Sequence, residues 1–273
     1  MKYKLVLSAM IISLMISCRS LPKKLQQASI SEIGYEALGD SLNFKFENPL
    51  HCPLRISATT SNSEIQGIID QGFPVTIEPK QDTLISFLAE ASKEEFPIDF
   101  SAMIGNPTDS VTKREITLPF REGHEYKIIQ GYNGSYSHNS EYSKYAIDFN
   151  LKEGDTICAS ADGYVVGVIE GYTDGGKSKR WTDYANFITI FHPDMNLYTQ
   201  YVHLMYDGSF VEVGDFVQSN QEIGLSGKTG CTDTEHLHFN VLKPNTNGME
   251  STQIEFLEGY KGVNLKRGDW VKK

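Results

Sequence analysis

The sequence predicts a mainly β protein: residues 30–120 as a small β-sandwich-like domain and residues 121–273 as a larger sheet domain. Two observations carry this reading. Short runs of alternating apolar and polar residues recur along the chain, separated by turn-forming Asn, Gly, Pro and Asp, and no long stretch shows the 3.6-residue apolar period of an amphipathic helix. The chain has 273 residues, of which 40% are hydrophobic and 11% aromatic, enough to bury a core. A formal net charge of −10 offers no electrostatic footprint for a nucleic acid, which is excluded as a partner.

The elements follow in order. Lys2 and Lys4 precede an apolar run from Leu5 to Ile16, which is shorter than the ~20 residues that span a bilayer, so residues 1–17 read as a cleaved export signal. Its end, Met15-Ile16-Ser17-Cys18, resembles the bacterial lipobox, which implies lipidation of Cys18. Residues 18–29 are then a polar tether, and the expected location is the cell envelope, held to a membrane through the lipid anchor.

Within residues 30–120, Leu42 to Phe46 and Pro74 to Ile77 read as strands bounded by Asn-Pro and Pro-Lys turns. His51 and Cys52 have no partners in a chemical spacing and read as structural. The part played by this domain is expected to be spacing or contact with a protein partner. Beyond residue 121, strands are expected at Tyr164 to Ile169, Asn186 to Phe191, Leu197 to His203 and His236 to Val241. Gly154-Asp155 and Gly214-Asp215 read either as a weak internal repeat or as two ordinary Gly-Asp turns. With Cys18 set aside, Cys52, Cys158 and Cys231 allow at most one disulfide, so bridges are not the framework.

The chemistry gathers in three clusters: His138 with Asp148, then Tyr201 to Leu204 around His203, then His236-Leu237-His238-Phe239. Residues two apart in a strand share a face, so His236 and His238 are expected to project together while Leu237 and Phe239 enter the core. By the same rule Tyr201 and His203 are expected to share a face. A catalytic zinc takes three protein ligands and keeps a fourth position open, and His138, Asp148 and one of the tandem histidines meet that count. The other histidines are then free to handle a proton and stabilise an oxyanion. His124 and His192 read as polar surface.

The stretches Ser137-His138, Tyr145 to Phe149, Gly154 to Val166, Asn186 to His192, Tyr201 to Leu204, Val213 to Asp215, Ile223-Gly224, Thr229-Gly230 and His236 to Phe239 resemble the LytM and lysostaphin-type zinc endopeptidases, which hydrolyse peptidoglycan cross-links. The resemblance covers roughly the last half of the chain. It implies an antiparallel β-sheet groove of duplicated hybrid-motif type. One Zn2+ per chain would be held by His138, Asp148 and His238, with His203 and His236 as catalytic histidines and peptidoglycan stem peptides as substrate. The sequence departs from the family pattern in three places. Nine residues separate His138 from Asp148, a longer loop than is usual, and Glu235 and Ala185 stand where Pro and Gly are common. Tyr132, Tyr136 and Tyr142 are candidates for lining the groove, and Asp233 and Glu235 are expected to place carboxylates beside it.

Two other functions compete with hydrolysis. Relatives with this fold that lack ligands activate other wall hydrolases by binding them, which makes a catalytically inactive regulator the alternative. A carrier or sugar-transfer domain on a similar duplicated sheet would need a phosphorylatable His or a modified Lys in place of a metal.

Overall fold

The computed structural model describes residues 21–24, 34–38, 41–88, 97–112 and 115–273, and the expectations for Cys18, the export signal and most of the tether lie outside them. The first part comprises β1 (Gly34–Leu38), β2 (Ser41–Glu47), β3 (Leu54–Thr59), α1 (Ser63–Ile69), β4 (Val75–Ile77), β5 (Asp82–Leu88) and β6 (Asp99–Ile104). They form two three-stranded antiparallel sheets, β1-β2-β5 and β4-β3-β6. In β2 the alternation Leu42, Phe44, Phe46 turns one face inward, and these side chains share a core with Ile56 of β3 and with Ile65 and Ile69 of α1. The Asn62 side chain caps α1 by accepting hydrogen bonds from the Glu64 and Ile65 amides.

The second part begins upstream of residue 121, because Ile116, Leu118 and Phe120 are already buried in its core. Its elements are β7 (Glu125–Gln130), β8 (Ile147–Phe149), β9 (Thr156–Cys158), β10 (Gly163–Ile169), β11 (Phe187–His192), β12 (Leu197–Val202), β13 (Leu204–Ser209), β14 (Phe216–Val217), β15 (Glu222–Ser226), β16 (Leu237–Asn245), β17 (Gly248–Ser251) and β18 (Trp270–Lys272). Among the described residues, a long antiparallel sheet runs β14-β10-β11-β12-β16-β8-β7-β18, with β17 paired to β16, and a small sheet β13-β15-β9 stands beside it. Ile188, Ile190, Tyr201, Leu237, Phe239 and Val241 cover one face of the long sheet and form the core with Phe120, Phe149 and Phe256. The C-terminal stretch packs back onto this body. β18 pairs with β7, and Ile254, Phe256, Leu265 and Val271 enter the core. No described helix is long and apolar enough to cross a membrane.

The Gly-Asp pair proves to be a recurrent turn. Gly154, Gly214 and Gly268 all take left-handed backbone, and Asp155, Asp215 and Asp269 each accept a hydrogen bond from the amide three residues earlier. The third copy precedes a strand with no part in the suspected duplication, so the turn itself explains the similarity.

The two parts meet at one end of the long sheet. Leu50, Cys52 and Ile104 pack on Val166, Phe191, Tyr198 and Leu242, the His51 ring stacks on Tyr164 at 4.2 Å, and Arg55 donates to the Asn245 carbonyl. His51 and Cys52 are therefore interface residues. Cys52, Cys158 and Cys231 are all free thiols.

Candidate functional site

The site is built along one row of cross-strand neighbours. Phe187 pairs with Val202, Val202 with His238, His238 with Asp148, and Asp148 with Gln130, so one residue from each of β11, β12, β16, β8 and β7 faces the same groove. All five line a cleft of about 1060 Å³. This row lies on the face of the sheet opposite Tyr201, Leu237 and Phe239. The first domain covers the far end of the same face, at Phe191, Tyr198 and Leu242, and leaves the row itself open.

His138 reaches the row from the loop between β7 and β8. Its Nδ1 lies 2.9 Å from the Gly131 carbonyl, an acceptor only, so Nδ1 carries the proton and Nε2 offers a lone pair. That Nε2 stands 3.1 Å from Asp148 Oδ1 and 3.2 Å from His238 Nδ1, and His238 Nδ1 is 2.9 Å from the same oxygen. The nine intervening residues fold into turns held by Ser140 and Ser143, and they carry Tyr142 across the sheet to donate to Gln200. The long spacing therefore builds a groove wall without moving His138 away from Asp148.

Asp148 is buried, and burial alone would raise its carboxyl; the surrounding imidazoles of His236, His138 and His238 outweigh this and hold it well below the ordinary range. Its second oxygen accepts from Gln130 Nε2 at 3.0 Å. Burial pulls both imidazoles down, but the Asp148 bond and charge prevail at His138, which is raised, and not at His238, which is lowered. The two rings compete for one carboxylate. Two imidazole nitrogens and one carboxylate oxygen on a shared point, with their ligand atoms within 4.8 Å of one another, are a donor set that fits a divalent cation.

His203 and His236 stand beside this set, their ring centroids 4.6 Å apart. His203 Nδ1 bonds the Thr229 carbonyl at 2.6 Å and His236 Nδ1 the Thr234 carbonyl at 3.0 Å, which leaves Nε2 of each as the second nitrogen. His236 Nε2 is 3.8 Å from Asp148 Oδ1. Burial, with the His236 and His238 imidazoles, pushes His203 down to about 3, so the ring is neutral at physiological pH.

Some sequence expectations change. Tyr201 and His203 do not share a face: Tyr201 is in the core, its hydroxyl accepting from the Ser160 amide, because His203 takes left-handed backbone (φ 70°) and leaves the strand alternation. His192 is fully buried, not surface, since its ring fills the space between the Asp162 carbonyl and Thr199. Tyr136 and Tyr142 line the groove, but Tyr132 turns away to accept from the Ile254 amide. Asp233 is paired with Lys177 at 2.8 Å, and Glu235 lies 4.0 Å from Lys152. Sequence reasoning missed Gln130, Gly131 and Thr229, which orient Asp148, His138 and His203. Two of these act through backbone carbonyls, which leave no signature in side-chain identity.

Residues 142–251 match the model of peptidase family M23, a segment that holds Asp148, His203, His236 and His238 and starts just after His138. The chain is 27% identical over 219 residues to the peptidoglycan DD-endopeptidase ShyA of Vibrio cholerae, covering 75% of this chain and 43% of that protein. It is 35% identical over 97 residues to the glycyl-glycine endopeptidase ALE-1 of Staphylococcus capitis, covering 35% of this chain and 23% of that protein. The chain thus spans less than half the length of these relatives. Among solved structures, the catalytic domain of lysostaphin from Staphylococcus simulans is 25% identical, with 48% of this chain and 88% of that chain covered and a TM-score of 0.33. Residues 142–251 are thus similar to peptidase family M23, in keeping with the resemblance to LytM and lysostaphin-type peptidases that the motifs carry.

Proposed function

We propose that the chain is a zinc-dependent endopeptidase that hydrolyses peptide cross-links of peptidoglycan. The observation that supports it most is the convergence of His138 Nε2, Asp148 Oδ1 and His238 Nδ1 within 3.2 Å, in a chain whose residues 142–251 match a peptidase family. These three atoms would hold the zinc. When bound, zinc supplies Lewis acidity that polarises the scissile carbonyl and acidifies a water. His203 and His236, each with Nδ1 committed to a backbone carbonyl, present Nε2 as the group that exchanges protons. In hydrolysis the water oxygen bonds to the carbonyl carbon. One imidazole takes the released proton, and that proton passes to the nitrogen of the breaking C–N bond. The complete donor set speaks against a regulator that has lost its ligands. Export and lipidation at Cys18 would hold the enzyme beside a wall that lies outside the inner membrane.

The test is the zinc content of the chain lacking residues 1–18, alongside His138→Ala and His238→Ala. One zinc per chain, lost in both variants and accompanied by digestion of purified wall, is the expected result. Zinc retained in His138→Ala, or none in the parent, would overturn the assignment and favour the regulator.

A further inference from the structure

The groove carries a charge pattern that the cation site does not explain. Its wall acids are engaged: Asp183 with Lys24, Asp233 with Lys177, and Asp148 with the imidazoles. Two lining cations, Lys179 and Arg267, have no ion pair among the described residues. A chain of formal net charge −10 therefore presents two positive groups without an ion-pair partner in this cleft.

Both cations stand on fixed supports. Lys179 opens the short 3-10 helix Lys179–Tyr184 between β10 and β11, whose Trp181 and Tyr184 are buried against Tyr172. Arg267 sits in the turn before β18, which is clamped to β7 by bonds from the Gly268 amide to the Ile128 carbonyl and from the Ile128 amide to the Asp269 carbonyl. Lys179 thus belongs to the segment leading into β11 and Arg267 to the turn held on β7, the two strands at the ends of the row. The row crosses four inter-strand spacings of about 4.8 Å, roughly 19 Å, the length of an extended peptide of about five to six residues. Arg267 also lies beyond the 142–251 segment, so the family match does not carry it.

We propose that Arg267 and Lys179 form two carboxylate-binding subsites, one at each end of the groove, that select an anionic peptide bearing a free carboxylate on either side of the bond to be cut. This deepens the peptidase reading and rests on it. Guanidinium and ammonium groups held at fixed places bind carboxylates through charge-assisted hydrogen bonds, with Arg able to do so in bidentate fashion. The zinc between them would add positive charge to the same cleft.

The test uses two cross-linked stem peptides that differ only in whether their side carboxylates are free or converted to amides. For the zinc-loaded parent, kcat/KM for the free-acid peptide should exceed that for the amide by about tenfold. Arg267→Gln and Lys179→Gln should each narrow this ratio by roughly threefold through KM, Arg267→Lys should restore part of it, and high salt should compress it. A parent ratio near one, or a ratio that neither Gln variant changes, overturns the proposal. If neither peptide is cut, calorimetric binding decides. Weaker binding of the free-acid peptide in Arg267→Gln would leave the recognition standing without the peptidase reading, and equal binding of both peptides would sink both.

Discussion

Replacing His192 by Gln should flatten the loss of stability that this protein suffers on mild acidification. His192 is fully buried at the end of β11, with Nδ1 2.8 Å from the Asp162 carbonyl and Nε2 2.8 Å from Thr199 Oγ1. Since the carbonyl can only accept, the neutral ring donates from Nδ1 and accepts at Nε2. A second proton would charge a group that water cannot reach, and burial pushes its pKa from 6.5 down to about 4. Between these values the unfolded chain binds the proton and the folded chain does not, so stability falls as pH drops from about 6.5 and the loss is complete below about 4. At about 1.4 kcal/mol per pH unit, the gap amounts to about 3 kcal/mol. The assay is denaturant unfolding of parent and variant at pH 7.5 and pH 4.5, with a chelator in both so that bound metal contributes equally. Both tryptophans, Trp181 and Trp270, lie in the second part, so their fluorescence reads that part alone. The parent should lose about 2 to 3 kcal/mol more than His192→Gln. Parallel losses would refute the reasoning, because the acid sensitivity would then lie elsewhere.

Two further substitutions test the groups that hold the site. At Gly131 an added Cβ would clash with the Leu265 carbonyl oxygen, so Gly131→Ala must shift the carbonyl that orients His138; zinc affinity by chelator competition should fall by about 10- to 100-fold, with far-UV circular dichroism unchanged. The buried Asn186 side chain accepts from the Tyr172 amide and donates to the Tyr172, Leu204 and Met205 carbonyls, so Asn186→Ala should cost about 2 to 4 kcal/mol in urea unfolding; a cost below 1 would mean that water replaces these bonds.

The strands of the long sheet were legible because a period of two, broken by turn residues, marks a half-buried strand, and His236-Leu237-His238-Phe239 splits between groove and core as that period requires. The same rule failed at His203, where one left-handed residue reverses the face and no neighbouring side chain announces it. His192 looked like surface because a His-Pro-Asp string reads as a turn, whereas its burial depends on a carbonyl thirty residues away. The five polar site residues were visible as chemistry. Their supports were not, since Gly131 and Thr229 act through carbonyls that any residue possesses.

The transverse row also sets when the site can exist. Asp148 and His238 are 90 positions apart and His138 and His238 are 100 apart, and they meet only through the pairing of β8 with β16, which lies far beyond β8 in the sequence. A chain ending before Leu237 holds His138, Asp148 and His203 but lacks the nitrogen that completes the donor set. Contacts of such long sequence separation form late in folding. Closure of the sheet is therefore the step that brings the three ligand atoms together, and a partly unfolded chain holds no complete donor set.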